Sequence, residues 1–246
     1  MQSLKIVAAN IYLWAVFIPV TLMSLLIFPF LACYGIFTNS FSSLLRRGIR
    51  LYGFILICAL SPVVPVTLTD RSGGFSPPVI FTPNHTSSLD PYLFGLTKVE
   101  SAFATSWPFK IPIYSIMMRF AEYIDIRKGW DELKDKGGKL LDKGCSLIIW
   151  PEGHRSRDGR LGRFKKGAFK LSCMKNRPVV PVCIKGAGKV LPPGRKYIQP
   201  GKIELVLLPP VYPPVQRDKS CMSNEDCAIH LRNLVKTIIQ KEMAAS

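Results

Sequence analysis

Acidic residues are scarce in this chain of 246 residues: 16 Asp and Glu stand against 33 Lys and Arg, for a formal charge of +17. From Ile6 to Leu45 there are forty consecutive residues with no Asp, Glu, Lys, Arg or His at all. A soluble nucleic-acid-binding domain has no use for such a stretch. Histidine is rarer still, with only His85, His154 and His230, which argues against a His-rich metal site. The seven cysteines (Cys33, Cys58, Cys145, Cys173, Cys183, Cys221 and Cys227) are odd in number and widely scattered, without a C-x-x-C pair or a zinc-like spacing. They read as reduced, buried small hydrophobes in a cytoplasmic setting. Also missing are G-x-S-x-G, the P-loop, G-x-G-x-x-G and H-E-x-x-H, together with any internal repeat or low-complexity tract.

The positive charge, almost all of it after Phe41, calls for an anionic neighbour: nucleic acid, an anionic leaflet or a phosphorylated substrate. The uncharged segment decides for membrane. It is too long for the apolar core of a signal peptide, and no small-x-small cleavage site follows it. The polar cluster Thr38, Asn39, Ser40, Ser42 and Ser43 divides a long apolar helix from a shorter one over about Leu44 to Leu60. The first would be ~48 Å long against ~30 Å of hydrocarbon, so it must tilt or bend, with Pro19 and Pro29 as candidate bends. Arg46, Arg47 and Arg50 and the basic remainder both belong on the cytoplasmic side. Residues 1–60 are therefore expected to be an N-terminal two-helix membrane anchor entering from that face, either dipping into one leaflet or crossing once. The three arginines would add attraction to an anionic leaflet.

After Ser61 the texture changes. Pro62, Pro65, Gly73, Gly74, Pro77 and Pro78 read as a linker, and residues 61–246 as an α/β domain. Candidate strands are Val79–Thr82, Ala102–Ser106, Tyr123–Ile126, Ser146–Trp150, Val179–Ile184 and Ile203–Leu208. Candidate helices are Pro91–Thr97, Ile111–Ala121, Asp131–Asp142, Gly167–Lys175 and about Glu225 to Met243. The last shows Ile229, Leu231, Leu234, Val235, Ile238 and Ile239 at helical spacing.

Two constellations carry chemistry. At the end of the first of these strands stands Asn84-His85-Thr86-Ser87-Ser88-Leu89-Asp90-Pro91. Ser87, Ser88 and Asp90 are good N-cap residues and Pro91 suits a first helical turn. Asp90 can also hold the Nδ1 proton of His85, leaving Nε2 as a proton acceptor, the division of labour of a serine-protease triad without its serine. Asn84-His85-Thr86 formally matches a glycosylation sequon, and Ser87 or Ser88 lacks the setting of a nucleophile. The second constellation follows the strand Ser146–Trp150: Pro151-Glu152-Gly153-His154-Arg155-Ser156-Arg157, then Arg160, Arg163 and Phe164-Lys165-Lys166-Gly167. Guanidinium forks beside a glycine make an anion trap, and Arg127, after Tyr123–Ile126, is a further candidate.

These residues resemble the glycerolipid acyltransferases marked by His followed, after four residues, by Asp. Four ordered blocks carry the likeness across about residues 80–185. The first matches fully as Asn84 to Asp90. The second retains Arg127, with Ala121 in place of the usual Gly and Ile126 in place of the frequent Asp. The third reads Trp150-Pro151-Glu152-Gly153-His154-Arg155-Ser156, with Trp150 for Phe and His154 for Thr. The fourth is Val179-Val180-Pro181-Val182-Cys183-Ile184. The resemblance implies a mixed central sheet flanked by helices. It also implies acyl transfer from acyl-CoA or acyl carrier protein, as co-substrate, to the free hydroxyl of 1-acyl-glycerol-3-phosphate. His85 and Asp90 would be catalytic. Arg127, Glu152, Gly153 and Arg155, with Lys165 and Lys166, would bind the acceptor phosphate, and the block around Pro181 would help shape the acyl site. No metal, organic cofactor or nucleic acid is implied. Other lysolipids or glycerol-3-phosphate are alternative acceptors, and a non-catalytic membrane-docked phospholipid-binding protein is the alternative of another class. The setting expected is the cytoplasmic face of the inner membrane.

Overall fold

The computed structural model describes residues 2–214 and 223–245. Two helices come first, α1 (Gln2–Phe37) and α2 (Phe41–Leu60). There follow β1 (Val66–Asp70), β2 (Ile80–Pro83), α3 (Asp90–Leu93) continued by a 3-10 turn at Phe94–Leu96, β3 (Ser101–Thr105), α4 (Pro112–Phe120), β4 (Ile124–Asp125) and α5 (Trp130–Asp142). Then come β5 (Ser146–Ile149), α6 (Gly167–Lys175), β6 (Val179–Lys185), α7 (Ala187–Val190), β7 (Ile203–Leu207) and α8 (Asn224–Ala244).

The strands form one mixed sheet in the order β1-β7-β6-β2-β5-β3-β4. Only β6 and β7 pair antiparallel; the other neighbours are parallel. Side chains alternate between the faces with the period of two that a strand imposes. Ile80, Leu147 and Val179 join a core beneath α4, α5, α6 and α8, whereas Phe81, Ile148 and Val180 join another beneath α2, α3 and α7. All four residues of β2 are buried, as expected of a central parallel strand covered on both sides.

Several expectations need correcting. The Pro- and Gly-rich stretch after Ser61 is not all linker, because β1 lies within it as an edge strand paired with β7. None of its residues is buried and Leu68 is exposed, so its short Val66-Thr67-Leu68-Thr69 alternation marks no core face. α1 continues through Pro19 and Pro29. It supplies one apolar segment, Ile6–Phe37, long enough to span a membrane. A second membrane helix is not confirmed: among the described residues α1 alone is long and apolar enough to span, and α2 packs on the α/β domain. A Cβ added to Gly95 would lie 2.2 Å from the backbone nitrogen of Phe54, and Gly53 faces Tyr92.

Of the three arginines of α2, Arg46 is buried against the domain while Arg47 stays exposed. Arg46 is 5% exposed and binds Glu100, Glu122 and the carbonyl of Ala121; Arg47 bonds Glu100, and Arg50 bonds the carbonyl of Thr97. The cysteines are not all reduced and buried. Cys173 on α6 and Cys227 on α8 form a disulfide with their Cα atoms 6.4 Å apart, because the two helices pack face to face. Cys33 and Cys58 are exposed, Cys145 and Cys183 are buried thiols, and Cys221 lies outside the described residues.

Candidate active site

The site grows from the ends of the parallel strands, where open α/β sheets place their clefts. Immediately after β2, Asn84 is fully buried. Its Oδ1 accepts the Ile184 N–H at 2.6 Å, and its Nδ2 donates to the Ile184 carbonyl at 3.0 Å. Both bonds tie the end of β2 to β6, which leaves no room for a glycan despite the sequon. The chain then turns through His85 into α3. None of Ser87, Ser88 and Asp90 caps that helix. Instead Asp90 Oδ2 reaches back to accept from His85 Nδ1 at 2.7 Å and from the N–H groups of Thr86 and Ser87 at 2.8 and 2.9 Å. Ser87 Oγ donates to the Leu191 carbonyl, so it is held as a brace and not presented as a nucleophile. Gly188 on α7 lets the turn close, because a Cβ there would lie 2.9 Å from the Thr86 Cβ.

The loop after β5 folds over this turn. Glu152 is 2% exposed, with Oε1 accepting the His85 N–H at 2.9 Å and Oε2 the Gly162 N–H at 2.8 Å. Burial pushes its carboxyl above the ordinary value, against the two N–H groups that favour its charge. The Ser156 N–H donates to the His85 carbonyl at 2.7 Å, and Arg155 Nη1 donates to Ser88 Oγ at 2.5 Å. Gly153 takes a φ of +75°, which suits glycine, and a Cβ there would meet the Lys165 ammonium at 2.8 Å.

A cavity of about 750 Å³ opens here, lined by the ends of β2, β3 and β5 and by the loop after β5. His85 stands on its wall with Trp150, Glu152, Gly153 and His154, and Arg155, Arg157 and Arg160 bring positive charge to it. The His85 ring is 18% exposed, reachable yet held. With Nδ1 bonded to a carboxylate, the tautomer leaves Nε2 as a proton acceptor.

Not all the expected residues meet there. Ile126 lines the cavity, but the Arg127 guanidinium is held by Asp125 through Nε and Nη2 and is not part of the lining. That bond holds the Asp125 carboxyl below its usual range. Lys165 lies behind Gly153, and Lys166 bonds Glu225 on α8 at 2.5 Å. Pro181 is buried in β6, paired with Thr82. Thr105, Ser106 and Trp107, which the sequence reading did not single out, complete one side of the cavity. Thr105 ends β3 and the other two follow it, and only the strand order places that strand beside β5.

The chain is similar to known proteins. The chain is 37% identical over 142 residues to a chloroplastic 1-acyl-sn-glycerol-3-phosphate acyltransferase of Arabidopsis thaliana, covering 55% of this chain and 40% of that one. It is 36% identical over 142 residues to the chloroplastic enzyme of Brassica napus, covering 55% of this chain and 41% of that one. The chain thus matches about two-fifths of the length of these plant relatives. A relative in Chlamydomonas reinhardtii bearing the same enzyme name is 28% identical over 226 residues, 88% of this chain and 67% of its own. The crystal structure of the 1-acyl-sn-glycerophosphate acyltransferase of Thermotoga maritima shares the fold, with a TM-score of 0.73 at 22% identity over 98% of this chain and 97% of that one. A family model described as Acyltransferase matches residues 61–185, just over half the chain and the span that holds His85, Asp90 and the loop after β5, and the chain belongs to that family.

Proposed function

We propose that the protein transfers a fatty acyl chain from a thioester, acyl-CoA or acyl carrier protein, to the free hydroxyl of 1-acyl-glycerol-3-phosphate, giving phosphatidic acid. The observation that carries this is the His85–Asp90 pair opening on a cavity whose positive charge is supplied by arginines. A thioester is already activated, so one base suffices. His85 Nε2 takes the proton of the acceptor hydroxyl as its oxygen attacks the thioester carbonyl, Asp90 steadies the imidazolium, and the thiolate leaves with that proton. No acyl-enzyme is needed.

Arg155 and Arg157 are assigned to the acceptor phosphate, with Gly153 allowing close approach. Glu152 shapes this site by bridging the His85 and Gly162 N–H groups. Arg127 is assigned to the rim, where it meets the phosphate only by leaving Asp125. Lys165 and Lys166 back the loop, and Pro181 supports the wall through β6.

The acceptor is a lipid, and α1 is assigned to holding the site at the membrane. Near one end of α1, Asn10 exchanges hydrogen bonds with the Ile198 backbone at 2.7 and 3.1 Å. Toward its other end, Phe28 packs on Phe41, which meets Phe120. These anchor points are ~27 Å apart along the helix and touch the same domain. An upright crossing would carry part of that domain into the bilayer core, so α1 lies along one leaflet. The cytoplasmic face of the inner membrane is the side that the basic surface favours. Purified protein assayed by mass spectrometry against a panel of lysolipids, with both thioester carriers, tests the activity. Phosphatidic acid from lysophosphatidic acid is the expected product, and no acylated product with any acceptor would refute the proposal.

A further inference from the structure

Trp150, the residue just after β5, is 8% exposed and lies against His85, with ring centroids 5.0 Å apart and planes tilted by 35°. Phe103 stacks on the indole at 5.7 Å and 16°, and Phe94 meets it edge-on at 6.3 Å, so the ring is held in place. Its Nε1 is buried without a hydrogen-bond partner among the described residues. A phenylalanine would fill most of the place without stranding a donor, so packing alone does not call for an indole. What tryptophan has over phenylalanine is the more electron-rich π face, the best of the aromatic side chains for holding a cation.

Only one group beside that face gains positive charge during transfer. We propose that Trp150 is a positioning residue that stabilises the imidazolium of His85 as the proton arrives, in parallel with Asp90 at Nδ1. This rests on His85 acting as the base. The acceptor O–H breaks and its proton passes to Nε2; the oxygen forms the new C–O bond as C–S breaks, and the departing thiolate takes the proton back. The positive charge exists between those two transfers. An interaction made only then lowers the barrier without tightening substrate binding, so it belongs in kcat and not in KM.

The test is steady-state kinetics of the full chain in detergent, varying acceptor and thioester separately, for Trp150→Phe and Trp150→Leu beside the wild type. The expected result is a fall in kcat of about threefold for Phe and about tenfold or more for Leu, with both KM values unchanged. Any other order of rates, or a loss that lies in KM, overturns the proposal. Should the Leu variant fail to fold, the Phe variant decides: a threefold fall in kcat at constant KM upholds the role, and a wild-type kcat or a raised KM rejects it. His85→Ala in the same assay separates the two ideas. If it stays active, the base assignment fails; if it is inactive while the Trp150 variants run at the wild-type rate, only the role of Trp150 fails.

Discussion

Asp90 Oδ2 accepts three hydrogen bonds, one from the His85 ring and two from backbone N–H groups, so one oxygen orients the base and shapes the turn that carries it. His85→Ala is therefore expected to lower kcat by at least about a hundredfold with folding intact, because the partly exposed imidazole is not part of the core. Asp90→Asn should lose less activity than His85→Ala but more stability, since a neutral amide oxygen is a weaker acceptor than the carboxylate for the three donors that meet there. Thermal unfolding in detergent beside kinetics would show that division, and an unaltered melting point would contradict it. Glu152→Gln replaces an acceptor of the Gly162 or His85 N–H by an NH₂ group, leaving two donors face to face. A loss of about 1–3 kcal/mol is expected, read as a lower unfolding midpoint. The pairing of His85 with Asp90 was legible in the sequence, because a five-residue offset across a strand-to-helix turn is local. The bridging role of Glu152 was not, since one of its partners is a glycine N–H ten residues away whose position depends on the loop's path.

Among the elements, α2 departs most from its reading. Its apolar composition suggests membrane, yet its Gly53 and Gly95 of the adjoining turn allow close approach of backbones, and Arg46 is locked between Glu100 and Glu122. Burial alone would raise the Glu100 carboxyl, but its bonds to Ser43, Arg46 and Arg47 outweigh burial and hold it below its ordinary 4.5; Glu122 is held down likewise by Lys143 and Arg46. A depressed carboxylate adds stability above its unfolded pKa and loses it as pH falls through the folded value. The docking of α2 is thus expected to weaken below about pH 4.5. Arg46→Leu should cost about 1–3 kcal/mol, because Glu100, Glu122 and the Ala121 carbonyl lose a buried charged donor, although Arg47 and Lys143 still serve the two carboxylates. An Arg46→Leu protein as stable as wild type in a denaturant titration would show the network to be dispensable. Most strands and helices were legible, each from an apolar run bounded by Pro or Gly. The exceptions follow from physics: β1 is an edge strand with little apolar burial, and the Cys173–Cys227 bond depends on α6 meeting α8 across 54 residues.

At the scale of the whole molecule, α1 is held at two points against the domain that carries the cavity, and the proposed function has it keep that site beside a lipid acceptor. Asn39, exposed at the turn between α1 and α2, and Lys196, exposed on the loop that Asn10 binds, should therefore face the same side of the membrane. Cysteines at the two positions are expected to react with an impermeant maleimide from the same side of sealed vesicles, above the background of native thiols. Labelling from opposite sides would mean that α1 crosses. Sequence composition marked α1 as long and apolar but did not show where it rests on the domain, because only folding brings Ile198 to Asn10. The central claim is that the arginines on the cavity direct acyl transfer by gripping a phosphate, and its most direct test compares kcat/KM for 1-acyl-glycerol-3-phosphate with that for the monoacylglycerol lacking the phosphate, in the wild type and in Arg155→Ala. A charge-assisted contact of about 1.5–3 kcal/mol predicts a strong wild-type preference for the phosphorylated acceptor, falling by about ten- to a hundredfold in the variant. Equal use of the two acceptors by the wild type, or a preference untouched by Arg155→Ala, would contradict it.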